Sequence, residues 1–212
     1  MIRLYRAHWS TNCERVALAL AHKGVEVESV LIEYADRSPV ERVSGQGLVP
    51  VIVDGGEVIY DSTRILRHLE QRFPDPPLFP ADPARRAELD VFLEWFNEVW
   101  KSAPNALEEE LEKTDPDEAA IEPLSARIAE SLDLFERLLA GREYLMGDKL
   151  SAGDCAAFPF LKYATIRDPK DTELFHVMLD DHLDLGDERP RLAEWIDRVD
   201  ALPRAYGPTV AE

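Results

Sequence analysis

The hydrophobic pattern of the chain changes at about residue 80. Before that point, short β-rich runs alternate with helical ones, and after it apolar residues recur at the i, i+3, i+4 and i+7 spacing of amphipathic helices. The first part predicts a strand, a helix and a strand, then a hairpin with a tight turn at 54–56, then a helix over 62–72. A small sheet with helices on its faces is therefore expected, followed by an all-helical domain.

Capping residues mark helix ends in the second part. Asp82 and Pro83 supply an N-cap and a first-turn proline, and Pro203 ends the last predicted helix. Ser151 and Asp154 have the spacing of a capping box in its acidic form. As a plain cap, the Asp154 side chain is expected to contribute about 0.5 to 2 kcal/mol of stability.

A proline-rich linker separates the two parts. Residues 73–83 read FPDPPLFPADP, and their five prolines are incompatible with a helix or a central strand. Two domains are therefore predicted, over residues 1–78 and 84–212.

Composition and charge limit the classes of partner. The chain has 45% hydrophobic and 31% charged residues, which is typical of a soluble globular protein, and no run resembles a membrane span or a secretory signal. A cytoplasmic location is expected. Residues 1–80 carry 9 basic and 11 acidic side chains, whereas residues 81–212 carry 15 and 31. Such an acidic surface repels phosphate backbones and anionic lipid, so neither nucleic acid nor a membrane is an expected partner.

The cysteines and histidines predict neither a disulfide nor a metal site. Cys13 and Cys155 are the two cysteines of the chain and lie in different predicted domains, so free thiols in a reducing compartment are expected. His176 and His182 lack the partner spacing of a metal site, and both are interpreted as solvated side chains.

Candidate chemistry begins in the stretch STNCERVALAL, which opens the first predicted helix. It offers a hydroxyl at Ser10 and a thiol at Cys13, near backbone N–H donors and the positive end of a helix dipole. Both residues also suit structural roles, Ser10 as an N-cap and Cys13 as a small packed residue. Arg15 in the same helix is expected to be structural, either a surface charge or the partner of a carboxylate in the domain.

Four motifs in one order, STNCERVALAL, LVPVI, YDSTRIL and LSAGDCAAF, resemble the cytosolic glutathione transferase family over nearly the whole chain. The resemblance implies an α/β plus all-α protein: a thioredoxin-like domain that binds glutathione, then an all-helical domain. Glutathione would be the co-substrate, without a metal, and the protein would form a homodimer. In family branches with a C-P-x-C/A-x-R-V pattern, the first cysteine aligns with Ser10. This alignment implies that Ser10 activates glutathione, with Thr11, Asn12 and Cys13 as supporting or alternative residues.

The same resemblance implies the rest of the glutathione site. The backbone of Val49 would contact the cysteinyl part, with a cis peptide bond before Pro50 shaping the loop. Asp61 would pair with the α-ammonium of the γ-glutamyl unit, while Ser62 and the N–H groups of its helix would hold the α-carboxylate.

One position departs from the family pattern. Many relatives have a lysine directly before the Val-Pro pair, where it can neutralise the glycyl carboxylate of glutathione, and this chain has Leu48 there. Gln46 or Arg42 could supply the contact instead, and the sequence does not choose between them.

The family architecture also implies a pocket for the second substrate. Its candidate lining residues are His8 and Trp9 in the first loop, with Trp100 and Tyr163 in the helical domain. The expected function is transfer of glutathione to a small hydrophobic electrophile, as in detoxification. Two alternatives stay open: a non-catalytic module that binds a ligand or a protein, and a glutathione-dependent thiol transferase or reductase that uses Cys13.

Overall fold

A computed structural model describes residues 1–211 of the chain. The described residues form two compact units, one of Met1–Pro80 with the chain end from Leu202, the other of Ala81–Ala201. Within this part of the chain, every helix is too short or too polar to cross a membrane.

The first unit is built on a four-stranded mixed sheet. Its strands are β1 (Ile2–Arg6), β2 (Val27–Leu31), β3 (Val51–Asp54) and β4 (Glu57–Tyr60). They lie in the order β2-β1-β3-β4, with β2 parallel to β1 and both other pairs antiparallel. Helices α1 (Thr11–His22), α2 (Ser38–Ser44) and α3 (Ser62–Arg72) connect them or follow them. The predicted strands, hairpin and flanking helices are confirmed, whereas α2 is an element that the sequence pattern does not predict.

Both faces of this sheet are covered, in accordance with the alternation of side chains along each strand. Tyr5, Val30 and Val51 pack with Val40 of α2 on one face. The alternate residues, such as Ile52, are buried on the opposite side, where α3 contacts β3 and β4 and also packs against α1. The short helix α2 buries only Val40 completely, which explains why no helical period is visible in its sequence.

The chain end packs along the outer edge of β2. The N–H of Ser29 donates to the carbonyl of Pro208 at 2.9 Å, and the N–H of Val210 donates to the carbonyl of Ser29 at 2.8 Å. Gly207 has a φ of 62°, and a Cβ there would lie 1.8 Å from the carbonyl oxygen of Val27. The second domain was expected to continue to residue 212, but this edge bonding places the segment from Leu202 with the first unit.

The second unit is helical. Its helices are α4 (Pro83–Trp95), α5 (Ser102–Leu111), α6 (Glu118–Leu138), α7 (Ala152–Leu161), α8 (Leu174–His182) and α9 (Pro190–Asp200). A π-helical turn, Phe96–Trp100, joins α4 to α5, and a 3-10 turn, Lys162–Ala164, follows α7. The predicted apolar stripes are buried, as the complete burial of Phe135 in α6 and Trp195 in α9 illustrates.

Helix α7 is buried along its entire length and begins with the predicted capping box. Asp154 accepts hydrogen bonds from the backbone N–H and the hydroxyl of Ser151, at 2.8 and 2.6 Å. It also accepts from the N–H of Leu145 at 2.8 Å and from the indole N–H of Trp195 at 2.9 Å. Asp154 is therefore more than a cap, because it connects three segments of the second unit.

Candidate functional site

Three segments that carry candidate residues leave the sheet at the same end. Tyr5 of β1 pairs with Val51 of β3, which in turn pairs with Tyr60 of β4. The first loop (residues 7–10) follows β1, the Val-Pro loop (residues 45–50) precedes β3, and the start of α3 follows β4. The topology therefore brings these candidate residues, which are distant in sequence, to one end of the sheet.

Ser10 is the N-cap of α1. Its hydroxyl oxygen accepts a hydrogen bond of 3.2 Å from the backbone N–H of Cys13, and its carbonyl accepts one of 3.0 Å from the N–H of Glu14. A hydroxyl that accepts such a bond keeps its own proton for donation. Ser10 is half-buried, as is Asn12 in the first turn, whereas Thr11 is buried. Ser10 can therefore cap the helix with its oxygen and still act as a hydrogen-bond donor.

Cys13 is placed differently from Ser10. Its side chain is only 1% exposed, and burial raises the pKa of the thiol to about 11, although hydrogen bonds involving Ser10 and the Ala7 backbone and the charge of Arg6 oppose the shift. Because the thiolate is the reactive form, a buried and protonated thiol is a poor nucleophile at neutral pH. The position at a helix N-terminus therefore does not activate Cys13.

The start of α3 holds Asp61 and Ser62 in a constrained geometry. Asp61 caps the helix, since its carboxylate accepts from the N–H of Arg64 at 2.9 Å, and its side chain is exposed. Its φ of 72° lies in the left-handed region, which non-glycine residues rarely adopt and which costs of order 1 to 3 kcal/mol. Such strain is concentrated at functional sites in proteins. Ser62 is 6% exposed, and its hydroxyl oxygen accepts from the guanidinium of Arg15 at 3.3 Å.

Hydrogen bonds from side chains in and next to the Val-Pro loop hold its backbone in place. The side-chain oxygen of Gln46 accepts from the N–H of Leu48 at 2.5 Å, while its nitrogen donates to the carbonyl of Leu48 at 2.9 Å and to the hydroxyl of Ser44 at 3.0 Å. The guanidinium of Arg37 donates to the carbonyl of Gly47 at 2.8 Å. The amide of Gln46 is therefore already used within the loop.

The remaining candidates for the glutathione site in and beside this loop differ in exposure. The peptide bond between Val49 and Pro50 is cis, as the resemblance implies. Val49 is half-buried and Pro50 is buried directly before β3, whereas Leu48 is 71% exposed. Arg42 lies on the exposed side of α2.

The four aromatic candidates lie in two different settings. His8 is exposed and Trp9 half-buried in the first loop, with their rings edge to face at 4.6 Å. Trp100 and Tyr163 are instead buried in the second unit. Trp100 donates to the hydroxyl of Ser131 at 2.8 Å, and the hydroxyl of Tyr163 donates to Asp171 at 3.1 Å. These contacts are typical of core residues, so the role of both rings in a substrate pocket stays a prediction.

The histidines of the second unit were both expected to be solvated, and for His176 this is wrong. Its ring nitrogen Nδ1 lies 2.8 Å from the carboxylate of Asp171, and its ring stacks on Tyr163 at 4.7 Å. Burial lowers its pKa, although the hydrogen bond with Asp171 opposes the shift. Within residues 1–211, no group of three or more His, Cys, Asp or Glu side chains is arranged to hold a metal ion.

One residue near the site was underestimated from the sequence. Arg15 is not at the surface but 1% exposed, and it connects α1 to the first residue of α3. No local pattern indicates this role, because the burial of residues 13–20 of α1 depends on tertiary packing.

Comparison with known proteins gives a consistent result. The chain matches the family models described as "Glutathione S-transferase, N-terminal domain" over residues 4–77 and "Glutathione S-transferase, C-terminal domain" over residues 118–198. It is 31% identical over 225 aligned positions to Glutathione S-transferase 3 of Zea mays, covering 99% of this chain and 93% of that protein. It is 27% identical over 212 positions to Glutathione S-transferase GstB of Escherichia coli K12, covering 96% and 95%.

Solved structures give the same picture of the fold. The crystal structure of a glutathione S-transferase from Rhodospirillum rubrum F11 superposes with a TM-score of 0.75 at 27% identity, covering 97% of this chain and 90% of that one. The predicted fold class, a thioredoxin-like α/β domain followed by an all-helical one, is confirmed.

Proposed function

Because the chain belongs to the glutathione S-transferase family, we propose that it activates the thiol of glutathione for attack on a small hydrophobic electrophile. The observation that carries the proposal is the meeting of the first loop, the Val-Pro loop and the start of α3 at one end of the sheet. The thiol of free glutathione is mostly protonated at neutral pH, so an enzyme must stabilise the thiolate.

Ser10 is the residue that we assign to this task, which makes the first loop of the serine type. Its oxygen accepts the N–H of Cys13, so its own proton can be donated to the sulfur of bound glutathione. The first turn of α1 adds the positive end of the helix dipole and the backbone N–H groups of Thr11 and Asn12. These donors favour the thiolate over the thiol. The nucleophile is therefore the sulfur of the substrate, and the protein supplies only its stabilisation.

The start of α3 is suited to the γ-glutamyl end of glutathione. The exposed carboxylate of Asp61 would pair with the α-ammonium, and the hydroxyl of Ser62 with the first N–H groups of α3 would bind the α-carboxylate. The backbone of Val49, held by the cis bond to Pro50, would bond to the cysteinyl part. Together with Ser10, these groups would place the sulfur over the N-terminus of α1.

The glycyl carboxylate requires a partner other than the lysine that many relatives have. Of the two substitutes, Gln46 has its side-chain amide bonded to Leu48 and Ser44. We assign the contact to Arg42 because its guanidinium is a charged donor suited to a carboxylate and its side chain is exposed on α2. Loss of this one charge-assisted contact should weaken glutathione binding by about 1.5 to 3 kcal/mol.

Chemistry at Cys13 is disfavoured by its burial and raised pKa. A thiol transferase that used this residue would form a mixed disulfide between Cys13 and glutathione. We expect the Cys13→Ala protein to keep its glutathione-dependent activity, and we expect mass spectrometry to find no glutathione on Cys13 after incubation with oxidised glutathione. Loss of activity in this variant, or a trapped disulfide, would favour the thiol transferase instead.

The experiment that tests the proposal combines binding and turnover. Calorimetric titration with glutathione should show binding, and conjugation to 1-chloro-2,4-dinitrobenzene, a small hydrophobic electrophile, should proceed faster with the protein than without it. Binding without turnover over a panel of electrophiles would favour the non-catalytic module, and absence of binding at millimolar glutathione would refute the proposal. A homodimer and a detoxifying role belong to the same proposal.

A further inference from the structure

A buried guanidinium lies directly behind the start of α3. Arg15 is 1% exposed and is among the largest completely buried side chains of the protein. Its Nη1 donates to the hydroxyl oxygen of Ser62 at 3.3 Å, although the two residues are 47 positions apart. This contact joins the helix that begins after Ser10 to the helix that begins after Asp61. A charged side chain is rarely placed at such depth without a specific role.

The chemistry of this contact fixes the direction of the Ser62 hydroxyl. A guanidinium carries N–H donors and no acceptor, so Ser62 must accept from Arg15 and cannot donate to it. The proton of Ser62 is then directed toward a different acceptor. Two hydrogen bonds in series polarise each other, so donation from Arg15 also makes the Ser62 hydroxyl a stronger donor. An anion beyond Ser62 is the acceptor that benefits most, because its bond is charge-assisted.

We propose that Arg15 is a positioning residue for the γ-glutamyl carboxylate of glutathione, which acts by holding the Ser62 hydroxyl as a donor toward that carboxylate. The inference rests on the proposed function, because it assumes that Ser62 binds this group. It goes further by assigning the selection of an anionic γ-glutamyl unit to a residue that does not touch the ligand. We call the two hydrogen bonds in series, from Arg15 to Ser62 and from Ser62 to the ligand, the relay. Through the relay, the protein binds glutathione more tightly than a ligand that lacks this carboxylate.

A purely structural role predicts a different result. If Arg15 only connected α1 to α3, its replacement would lower the stability of the first unit and would affect all ligands of the site equally. The relay instead predicts a change in selectivity between two ligands that differ only in the α-carboxylate. The informative quantity is therefore the ratio of two dissociation constants, which a general loss of stability does not alter.

The probes are glutathione and 4-aminobutyryl-cysteinyl-glycine, which keeps the amine, the thiol and the glycyl carboxylate but lacks the α-carboxylate. Calorimetry would measure both ligands with the wild type, Ser62→Ala, Arg15→Met, Arg15→Lys and the double variant of Arg15→Met with Ser62→Ala. We expect the wild type to prefer glutathione by roughly tenfold or more, the size of one charge-assisted hydrogen bond. Arg15→Met and Ser62→Ala should each lose the part of this preference that the Ser62 hydroxyl supplies, while the part supplied by the N–H groups of α3 should remain. The double variant should lose no more than Ser62→Ala alone, because both residues act through one hydroxyl.

A matched control and a conservative variant complete the design. Arg72→Gln removes one positive charge from the exposed last turn of α3 and should keep the wild-type preference. Arg15→Lys keeps a donor and should restore part of the preference that Arg15→Met loses. If circular dichroism shows that Arg15→Met does not fold, Arg15→Lys replaces it in the comparison with Ser62→Ala. The relay requires in either case that the effects of the two substitutions on the preference for glutathione are not additive.

The outcomes separate this inference from the function on which it rests. A wild type that binds no glutathione refutes the proposed function, and one that binds both ligands equally refutes the role of Ser62 and, with it, that of Arg15. A wild type that discriminates, with the preference lost in Ser62→Ala but fully kept in the Arg15 variants, refutes the relay alone. The relay is supported if Ser62→Ala and Arg15→Met both lower the preference for glutathione and their effects are not additive in the double variant.

Discussion

The hydroxyl of Ser10 accepts a hydrogen bond of 3.2 Å from the backbone N–H of Cys13. This contact ranks the two reactive groups of the first loop. The Ser10 oxygen is the acceptor in this contact, so the contact does not use the hydroxyl proton, whereas the Cys13 side chain is only 1% exposed. A ligand at the N-terminus of α1 would therefore meet a hydrogen-bond donor and no protein nucleophile.

The burial of Cys13 should make the protein less stable in alkali. Its pKa is about 11 in the folded chain against 9.0 for an ordinary thiol, so the unfolded chain loses the proton first as pH rises. The stability should be unaffected below pH 9 and should fall between pH 9 and 11, by about 2 to 3 kcal/mol. Urea unfolding at pH 8 and at pH 10.5 should show a smaller alkaline loss in Cys13→Ala than in the wild type. Equal losses in both proteins would mean that the thiol is accessible to solvent.

The charge of Asp61 can be separated from its capping role. Asp61→Asn keeps an N-cap residue that tolerates a positive φ, but it removes the negative charge that would face the α-ammonium of glutathione. We expect the dissociation constant of glutathione to rise roughly tenfold or more, with the free energy of unfolding within about 0.5 kcal/mol of wild type. Asp61→Ala is the control, because it should lose both the affinity and about 1 kcal/mol of stability. Wild-type affinity in the Asn variant would exclude an ion pair at this position.

Asp154 should contribute more to stability than a helix cap does. Its carboxylate accepts four hydrogen bonds from buried donors on Leu145, Ser151 and Trp195. Asp154→Ala would leave these donors unsatisfied, so we expect a loss of about 3 to 5 kcal/mol instead of the 0.5 to 2 kcal/mol of a simple cap. Urea unfolding measures the loss, and glutathione affinity should be unchanged in the folded variant. A loss of stability under 2 kcal/mol would instead indicate that Asp154 acts only as a helix cap.

The packing of the chain end can be tested at Gly207. A Cβ at this residue would lie 1.8 Å from the carbonyl oxygen of Val27, whereas Gly24 has nearly the same φ and nothing within 4 Å of its added Cβ. Gly24→Ala should therefore cost only the backbone strain of about 1 to 2 kcal/mol, while Gly207→Ala should cost more because the chain end must move away from β2. Trypsin should then cleave after Arg204 in Gly207→Ala but not in Gly24→Ala. Equal stability and equal protection in both variants would contradict this packing.

Local patterns were sufficient to predict most of the fold. The strands, the hairpin at 54–56 and the helices with full apolar stripes are short-range features, and the structure confirms them. Helix α2 was missed because seven residues with one completely buried side chain give no detectable period. The association of the chain end with β2 was missed because it depends on backbone hydrogen bonds between residues about 180 positions apart, which leave no periodic signal.

The candidate site, like the fold, could be predicted only in part from the sequence. Its residues could be named from motifs, and the topology of the sheet explains why the motifs come together. The burial of Cys13 and the contact of Arg15 with Ser62 could not be inferred, because both depend on tertiary packing. The hydrogen bonds of Gln46 with Ser44 and Leu48 are local, but no motif in the sequence indicates them. These contacts are also the ones that rank the candidates.

The most direct test of the central claim is the pKa of the glutathione thiol when it is bound, measured by ultraviolet absorbance of the thiolate. With the wild type, the bound thiol should have a pKa well below that of free glutathione. In Ser10→Ala, it should rise toward the free value by about one to two units, the equivalent of one hydrogen bond to a charged sulfur. Cys13→Ala should leave it unchanged. A bound pKa equal to the free value in the wild type, or one that Ser10→Ala does not alter, would contradict the role assigned to Ser10.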